Sequence, residues 1–161
     1  MDSVDLRLLQ QEYHTVTEEK LKVGALIETV LGEDDGLVFT DGRTTKPKKL
    51  IVIGIDKDLA LCFGSVFINT KLNPRAAYSN EFMSAQYMLL AENYPDFLQY
   101  NSYVDCAKIF TIPQAKLMEG QYFGDLTDDD LAGIFEILET TDTLTTKEKK
   151  RYGIRRCKVK D

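Results

Sequence analysis

The sequence predicts a mainly β protein of the α+β class, in which a small antiparallel barrel carries a short N-terminal helix and a C-terminal amphipathic helix. Five or more short stretches of β-branched and aromatic residues are punctuated by turn residues, with little helical sequence between them. A chain of 161 residues with 43% hydrophobic content suits one compact domain and is too short for two. We therefore expect a single domain at residues 1–146 and a basic tail at residues 147–161.

The N-terminal part begins with a helix and continues as a strand. Residues 5–13 place leucine and tyrosine side chains at helical spacing, which predicts a short helix covering one end of the domain. Residues 22–31 are rich in aliphatic side chains and predict the first strand. The run GEDDG that follows has the composition of a turn and leads into an extended segment at residues 37–39.

The next part of the chain predicts a hairpin of two strands. Residues 50–55 are apolar at successive positions, which predicts a central strand buried on both faces. A short turn at residues 56–58 leads into a returning strand at residues 59–69, with a bend at Gly64. The loop before this hairpin, residues 40–49, holds a basic cluster.

Two further strands and a short extension complete the predicted barrel. Residues 86–90 and 103–112 have strand composition, and Pro113 ends the second of them. Two glycines bracket a brief extension at residues 121–123. A loop is predicted at residues 92–101, where a proline interrupts a polar stretch.

The last predicted element is an amphipathic helix that covers the β core. Thr127 supplies a hydroxyl N-cap, and the three aspartates after it place negative charge at the positive end of the helix dipole. One apolar stripe follows, formed by Leu131, Ile134, Phe135 and Leu138.

Several classes of protein are disfavoured by the sequence. Apolar runs fall short of the roughly 20 residues of a membrane span, and the N-terminus lacks the apolar core of a secretory signal, so we expect a cytoplasmic protein without a membrane partner. Cys62, Cys106 and Cys157 are far apart and odd in number, which argues against a disulfide framework or a structural zinc site. The single histidine, His14, lies near no serine or cysteine signature of a catalytic triad.

No cofactor or metal is expected. The chain has no phosphate-binding glycine loop. The aspartates around residue 128 miss the spacing of an EF-hand, and the helix dipole explains them. The tyrosines and phenylalanines of residues 87–103 could stack on bases, but such rings more often pack in a core.

Positive charge is concentrated at the C-terminal end of an acidic chain. The formal net charge is −6, yet residues 147–161 hold eight basic and two acidic residues. The tail is therefore +6 and leaves −12 on residues 1–146. It could steer RNA, pair with the acidic body, dock on an acidic partner or stay solvated as a frayed end. Tyr152 and Ile154 between the charges indicate that part of the tail packs.

The order of several segments resembles the PemK/MazF family of bacterial toxins. Residues 22–27 (KVGALI) are followed by a loop that ends in Lys-Pro-Lys-Lys at residues 46–49, directly before residues 50–54 (LIVIG). Ile-Asn-Thr at residues 68–70 then ends the next strand, as in the family.

Later segments are also similar to that family. Residues 102–112 resemble its late strand, and Gly-Asp-Leu at residues 124–126, before an acidic helix start, resembles its ending. The resemblance spans about residues 22–139. It implies an SH3-like barrel that forms a homodimer, cleaves single-stranded RNA without a metal, and is blocked by an antitoxin-like peptide or protein.

The resemblance also implies a set of site residues. Such cleavage needs a base for the ribose 2′-hydroxyl, an acid for the leaving 5′-oxygen and cations around the phosphate. Lys46, before Pro47, takes the place of an arginine in the family, although lysine lacks the bidentate fork of arginine. Thr70 takes the place of a threonine, and Asp105 is the candidate base, so these three are the expected catalytic residues. The expected RNA-binding residues are Lys48, Lys49, Lys71 and Arg75.

Two functions stay open at this point. Many family members have an Asp-Gln pair in the late strand, where this chain has Ala107 and Lys108, with Asp105 two residues earlier on the same face of a regular strand. The chain is therefore either a toxin-like endoribonuclease of a toxin–antitoxin system, or an inactive barrel of the same fold that serves as a binding or regulatory module. In the second case the lysines are a solvated loop, Thr70 caps a strand end and Asp105 is a surface charge.

Overall fold

The computed structural model of the protein describes residues 14–72 and 79–154, which build a six-stranded sheet with short helices. The predicted helix at residues 5–13 lies outside this described part. The strands are β1 (Ala25–Gly32), β2 (Thr45–Ile55), β3 (Cys62–Asn69), β4 (Gln86–Leu89), β5 (Ser102–Pro113) and β6 (Gln121–Asp125). The α-helices are α1 (Asn80–Ser84), α2 (Gln114–Met118), α3 (Asp128–Thr140) and α4 (Thr146–Arg151). Short 3₁₀ helices occupy Glu18–Lys20, Glu33–Asp35 and Ala91–Asn93.

The sheet is antiparallel throughout, in the order β4-β5-β3-β2-β1-β6. The prediction of a mainly β protein of the α+β class is therefore confirmed. Within the described residues β4 and β6 are the two edges, so the sheet is open. The finer prediction of a closed, SH3-like barrel is not confirmed.

The sheet packs a hydrophobic core against each of its faces. We call the core that contains Ile134 and Leu138 of α3 the α3-side core, and the core that contains Leu117 of α2 the α2-side core. In β2, Ile51 points into the first and Leu50 into the second, and both side chains are fully buried. This alternation confirms that β2 is a central strand with two apolar faces.

Helix α3 begins and packs as its sequence predicts. The Thr127 hydroxyl accepts a hydrogen bond from the Asp130 backbone N–H at 3.2 Å, which caps the helix. The Tyr87 and Tyr94 hydroxyls both donate to the Asp130 carboxylate, and so tie the first turn of α3 to β4 and to the loop after it. Burial and this carboxylate raise the pKa of Tyr87 to about 12.

The first half of the predicted tail folds onto the sheet. Helix α4 opens with a capping box between Thr145 and Glu148, after which Tyr152 and Ile154 are buried in the α3-side core. This confirms the prediction that part of the tail packs. Gly54 in β2 lies directly below Tyr152. A glycine is needed at this position, because a Cβ there would overlap the Tyr152 carbonyl oxygen.

Some local predictions are wrong. Residues 37–39 form an irregular loop, and β2 starts at Thr45, five residues before the predicted start of this strand, so residues 45–49 of the predicted loop belong to the strand. The returning strand starts at Cys62, because residues 59–61 belong to the turn and Leu61 adopts a left-handed φ of 55° that no regular strand contains. Helices α1, α2 and α4 have no counterpart among the predicted elements. In the described part of the chain no helix is both long and apolar enough to cross a membrane.

Candidate nucleic-acid interface

Strand β2 places Lys46 and Lys48 on the α2-side face of the sheet, because alternate residues of a strand share one face. Leu50 continues the same row into the α2-side core. The Lys48 amine donates a hydrogen bond to Asn69 Oδ1, at the end of β3, over 2.9 Å. Lys46 is exposed, whereas Lys48 is half-buried.

Two stacked phenylalanine rings lie beneath this part of the sheet face. The rings of Phe67 in β3 and Phe110 in β5 have centroids 4.0 Å apart and planes 13° from parallel. The Lys48 Nζ is 4.9 Å from the Phe67 centroid, and the Lys108 Nζ is 4.9 Å from the Phe110 centroid. Each lysine is therefore held by a cation–π contact, and the two positive charges stand on one aromatic platform.

A cleft of about 330 Å³ lies beside Lys48. One wall is the loop of residues 37–41 with Arg43, and the other is Lys46 and Lys48 of β2. Arg43 pairs with Asp41 at 3.0 Å, on the surface. Because that pair is neutral as a whole, the two lysines give the cleft a positive charge. We refer to this cavity as the Lys48 cleft.

The Lys48 amine has a lowered pKa. Burial, and then the positive charge of Lys46, lower the pKa of Lys48 to about 8, while the negative charge of Asp105 acts in the opposite direction. At pH 7 about one tenth of such an amine is neutral, compared with about 0.03% of an amine at the ordinary value of 10.5. Lys48 can therefore act both as a cation and as a base.

Asp105 lies on the same face as Lys48. In β5 it stands opposite Phe67 on one side and opposite Gln86 of β4 on the other. Its Oδ1 accepts one hydrogen bond from Gln86 Nε2 and one from the Ala107 backbone N–H, each at 3.0 Å. The carboxylate is thus oriented by two donors, both of which bond to Oδ1.

The expectation that Asp105 and Ala107 share a face is wrong. The pairing of β5 with β3 shifts between Asp105 and Phe110, where β5 contains extra residues. Asp105 bonds across this bulge to the Ala107 N–H, and Ala107 turns into the α3-side core. The residue after it, Lys108, is exposed and returns to the face of Phe110.

The other predicted site residues lie in different places. Lys49 is on the opposite face, where its Nζ is 5.5 Å from the Phe97 centroid. Thr70 and Lys71 follow the end of β3 and are exposed. Arg75 lies outside the described residues. The structure therefore gathers Lys46, Lys48 and Asp105 on one face and separates Lys49 from them.

Five contributors to this face described above were not among the predicted site residues. They are Arg43, Phe67, Asn69, Lys108 and Phe110. Arg43 could have been found, because it belongs to the basic loop before β2. Lys108 could not, because a regular strand would have placed it on the opposite face from Asp105, and only the bulge in β5 returns it.

Comparison with protein-family models and with curated proteins identifies no relative of this chain. No protein-family model matches the chain, and no curated protein matches it significantly. Within the described residues no group of three or more His, Cys, Asp or Glu side chains is arranged to hold a metal ion.

Proposed function

We propose that this protein binds single-stranded RNA on the face formed by Lys46, Lys48 and Lys108, as a PemK/MazF-like module with an SH3-like barrel. The observation that supports the proposal is the position of these cations. The body of the chain carries −12, yet Lys46 and Lys48 line one cleft, and Lys48 and Lys108 stand over a single aromatic platform on the same face. A local positive patch on an acidic protein favours the binding of an anionic strand along that patch.

Binding of this kind depends on salt. If each of the three lysines contacts one phosphate, the logarithm of the association constant falls with the logarithm of the salt concentration with a slope of about −2 for a single strand. The negative body repels RNA over most of the remaining surface, so this face should supply the slope unless the basic tail at residues 147–161 also binds RNA.

The test is fluorescence anisotropy with a labelled RNA of mixed sequence and about twelve nucleotides. We expect the double variant Lys46→Gln, Lys48→Gln to bind at least tenfold more weakly than the unaltered protein. The matched control is Lys57→Gln, which removes the charge of an exposed lysine in the turn after β2, at the far end of that strand. Equal affinities of the two variants would show that RNA, if bound, uses another surface.

A second candidate function is metal-independent cleavage of the bound RNA. It is favoured by the lowered pKa of Lys48 on the same face as Asp105. One of these two groups would take the proton of a ribose 2′-hydroxyl, whose oxygen then attacks the phosphorus. The 5′-oxygen leaves with a proton from Lys46 or water, which gives a 2′,3′-cyclic phosphate and a 5′-hydroxyl. Thr70 would hold a phosphate oxygen.

Cleavage is tested with purified protein, mixed-sequence RNA and EDTA. If Lys48 is the base, Lys48→Arg should keep RNA affinity within about threefold, because its charge remains, and should lose cleavage, because arginine stays protonated. If Asp105 is the base, Asp105→Asn should likewise keep RNA affinity and lose cleavage. RNA that stays intact with the unaltered protein removes this candidate and leaves the binding function.

The same resemblance leads us to propose a homodimer and an antitoxin-like partner. A partner that covers the Lys48 cleft should carry acidic side chains, which would compete with RNA for the same lysines. An acidic peptide that displaces labelled RNA from the unaltered protein, and binds the double lysine variant more weakly, would support this. Sedimentation analysis reports the oligomeric state separately.

A further inference from the structure

We propose that Lys48 is a carbonyl-reactive amine, which forms a reversible imine with a small compound that carries an aldehyde or ketone together with a carboxylate or phosphate. This goes beyond RNA binding, because it assigns the Lys48 cleft a small-molecule ligand and a covalent bond. Its support is the combination of a cleft lined by Lys48, an amine held in place by two contacts, and a second lysine, Lys46, beside it.

The cleft has the dimensions of a ligand site. Its volume of about 330 Å³ lies at the lower end of the range for small-molecule pockets, roughly 300–1,000 Å³. Leu37 and Phe39 give the loop wall apolar side chains, and Lys48 stands on the opposite wall. The bond to Asn69 and the contact with Phe67, neither of which lines the cleft, fix the position of the amine, so a carbonyl compound that reaches it from the cleft would meet it in a defined geometry.

The charges around Lys48 favour the neutral, nucleophilic form of its amine. Lys46 repels a second positive charge, whereas Asp105 attracts it, and burial together with Lys46 outweighs Asp105. Across the cleft, Arg43 and Asp41 form a neutral pair. A lysine next to another cation is a known arrangement for imine formation. Lys46 is also the group that would hold the anionic end of the ligand.

The reaction is balanced without an oxidant or reductant. The lone pair of the neutral Lys48 Nζ attacks the carbonyl carbon, a C–N bond forms, and the carbonyl oxygen takes up a proton. The resulting carbinolamine loses its hydroxyl group as water and leaves a protonated imine. Addition of water reverses each step and releases the carbonyl compound.

The test uses the full chain without RNA, so that its outcome is separate from that of RNA binding. The protein is incubated at pH 7 with 4-formylbenzoate and cyanoborohydride, which reduces the imine to a stable amine, and the labelled lysines are identified by peptide mass mapping. We expect Lys48 to be labelled at least tenfold faster than Lys49, its neighbour on the opposite face. Benzaldehyde, which has the same aldehyde but no carboxylate, should label Lys48 at least fivefold more slowly.

A variant tests the contribution of Lys46. Lys46→Gln should lower labelling of Lys48 at pH 7 severalfold and move the midpoint of its pH dependence upward, while labelling of Lys49 stays the same. A folded variant is verified by circular dichroism. Labelling of Lys48 no faster than Lys49 in the unaltered protein, or equal labelling by the two aldehydes, would overturn the proposal.

Discussion

The Arg151 guanidinium donates two hydrogen bonds to the Asp56 carboxylate, from Nε to Oδ1 at 2.9 Å and from Nη2 to Oδ2 at 2.8 Å. The Asp56 side chain is fully buried at the turn between β2 and β3, and Arg151 ends helix α4. Thr111 of β5 donates to the same carboxylate at 2.9 Å and also bonds to the Tyr152 hydroxyl. The pair therefore joins helix α4 to the turn between the two central strands of the sheet.

Removal of Arg151 should destabilise the protein strongly. Arg151→Ala leaves the buried Asp56 carboxylate without its cation, and we expect the free energy of unfolding to fall by about 3 kcal/mol. The measurement is urea unfolding at pH 7. Lys147→Ala is the control, because Lys147 is an exposed cation in the same helix, and its loss should cost less than about 0.5 kcal/mol. Similar losses in the two variants would contradict the role of the pair.

The same carboxylate predicts a pH dependence. Burial alone would raise the pKa of Asp56, but the hydrogen bonds from Arg151, from the backbone N–H groups of Asp58 and Leu59 and from Thr111 lower it to about 2. Since the folded pKa lies below the unfolded value of 3.8, the stabilisation is complete above about pH 4 and is lost as the pH falls through about 2. It amounts to about 2 kcal/mol.

This part of the pH dependence should be absent from Asp56→Asn. We expect the difference in unfolding free energy between the unaltered protein and the variant to shrink by about 2 kcal/mol from pH 5 to pH 2. A constant difference over this range would show that Asp56 has an ordinary pKa.

Ser65 offers a stabilising substitution. Its hydroxyl is fully buried in β3 and is the one buried side-chain polar atom without a hydrogen-bond partner among the described residues. Ser65→Ala removes that desolvated group, and we expect thermal unfolding to report a gain of about 1 kcal/mol. Ser102→Ala is the matched control, since the equally buried Ser102 hydroxyl donates to the Tyr100 carbonyl at 2.7 Å. That variant should lose about 1 kcal/mol. A loss in both variants would mean that Ser65 has a partner.

Two glycines should respond differently to alanine. A Cβ on Gly64 would overlap the Tyr152 ring, whereas a Cβ on Gly54 would overlap the Tyr152 backbone carbonyl. Each substitution should destabilise by about 2–3 kcal/mol, because the contact is tight and buried. In double-mutant cycles with Tyr152→Ala, the cost of Gly64→Ala should fall by more than about 1 kcal/mol and that of Gly54→Ala should not. Equal coupling for the two glycines would contradict the packing.

The main β elements could be predicted because their signals are local. The apolar run of β2 and the cap at Thr127 each depend on residues close in sequence, and both are as expected. The prediction of an extended segment at residues 37–39 failed because its apolar residues lie in a loop, where Val38 is 87% exposed. Composition cannot distinguish an apolar loop from an edge strand.

The candidate site could be predicted only in part, for a similar reason. Alternation along β2 implies that Lys49 faces away from Lys46 and Lys48. The sequence prediction placed these residues in a loop, where such alternation does not apply. The bulge after Asp105 is different, because it depends on one side chain bonding to a backbone N–H two residues on. The low pKa of Lys48 depends on burial, which a sequence does not contain.

The Asp56–Arg151 pair also has a consequence for synthesis on the ribosome. The two residues are 95 positions apart, so Asp56 emerges about 5–20 seconds before its cation at ordinary elongation rates. During that interval burial of the carboxylate is unfavourable, and the turn between β2 and β3 should stay hydrated while the strands pair. The sheet can therefore dry at this end only after helix α4 has been synthesised and has docked.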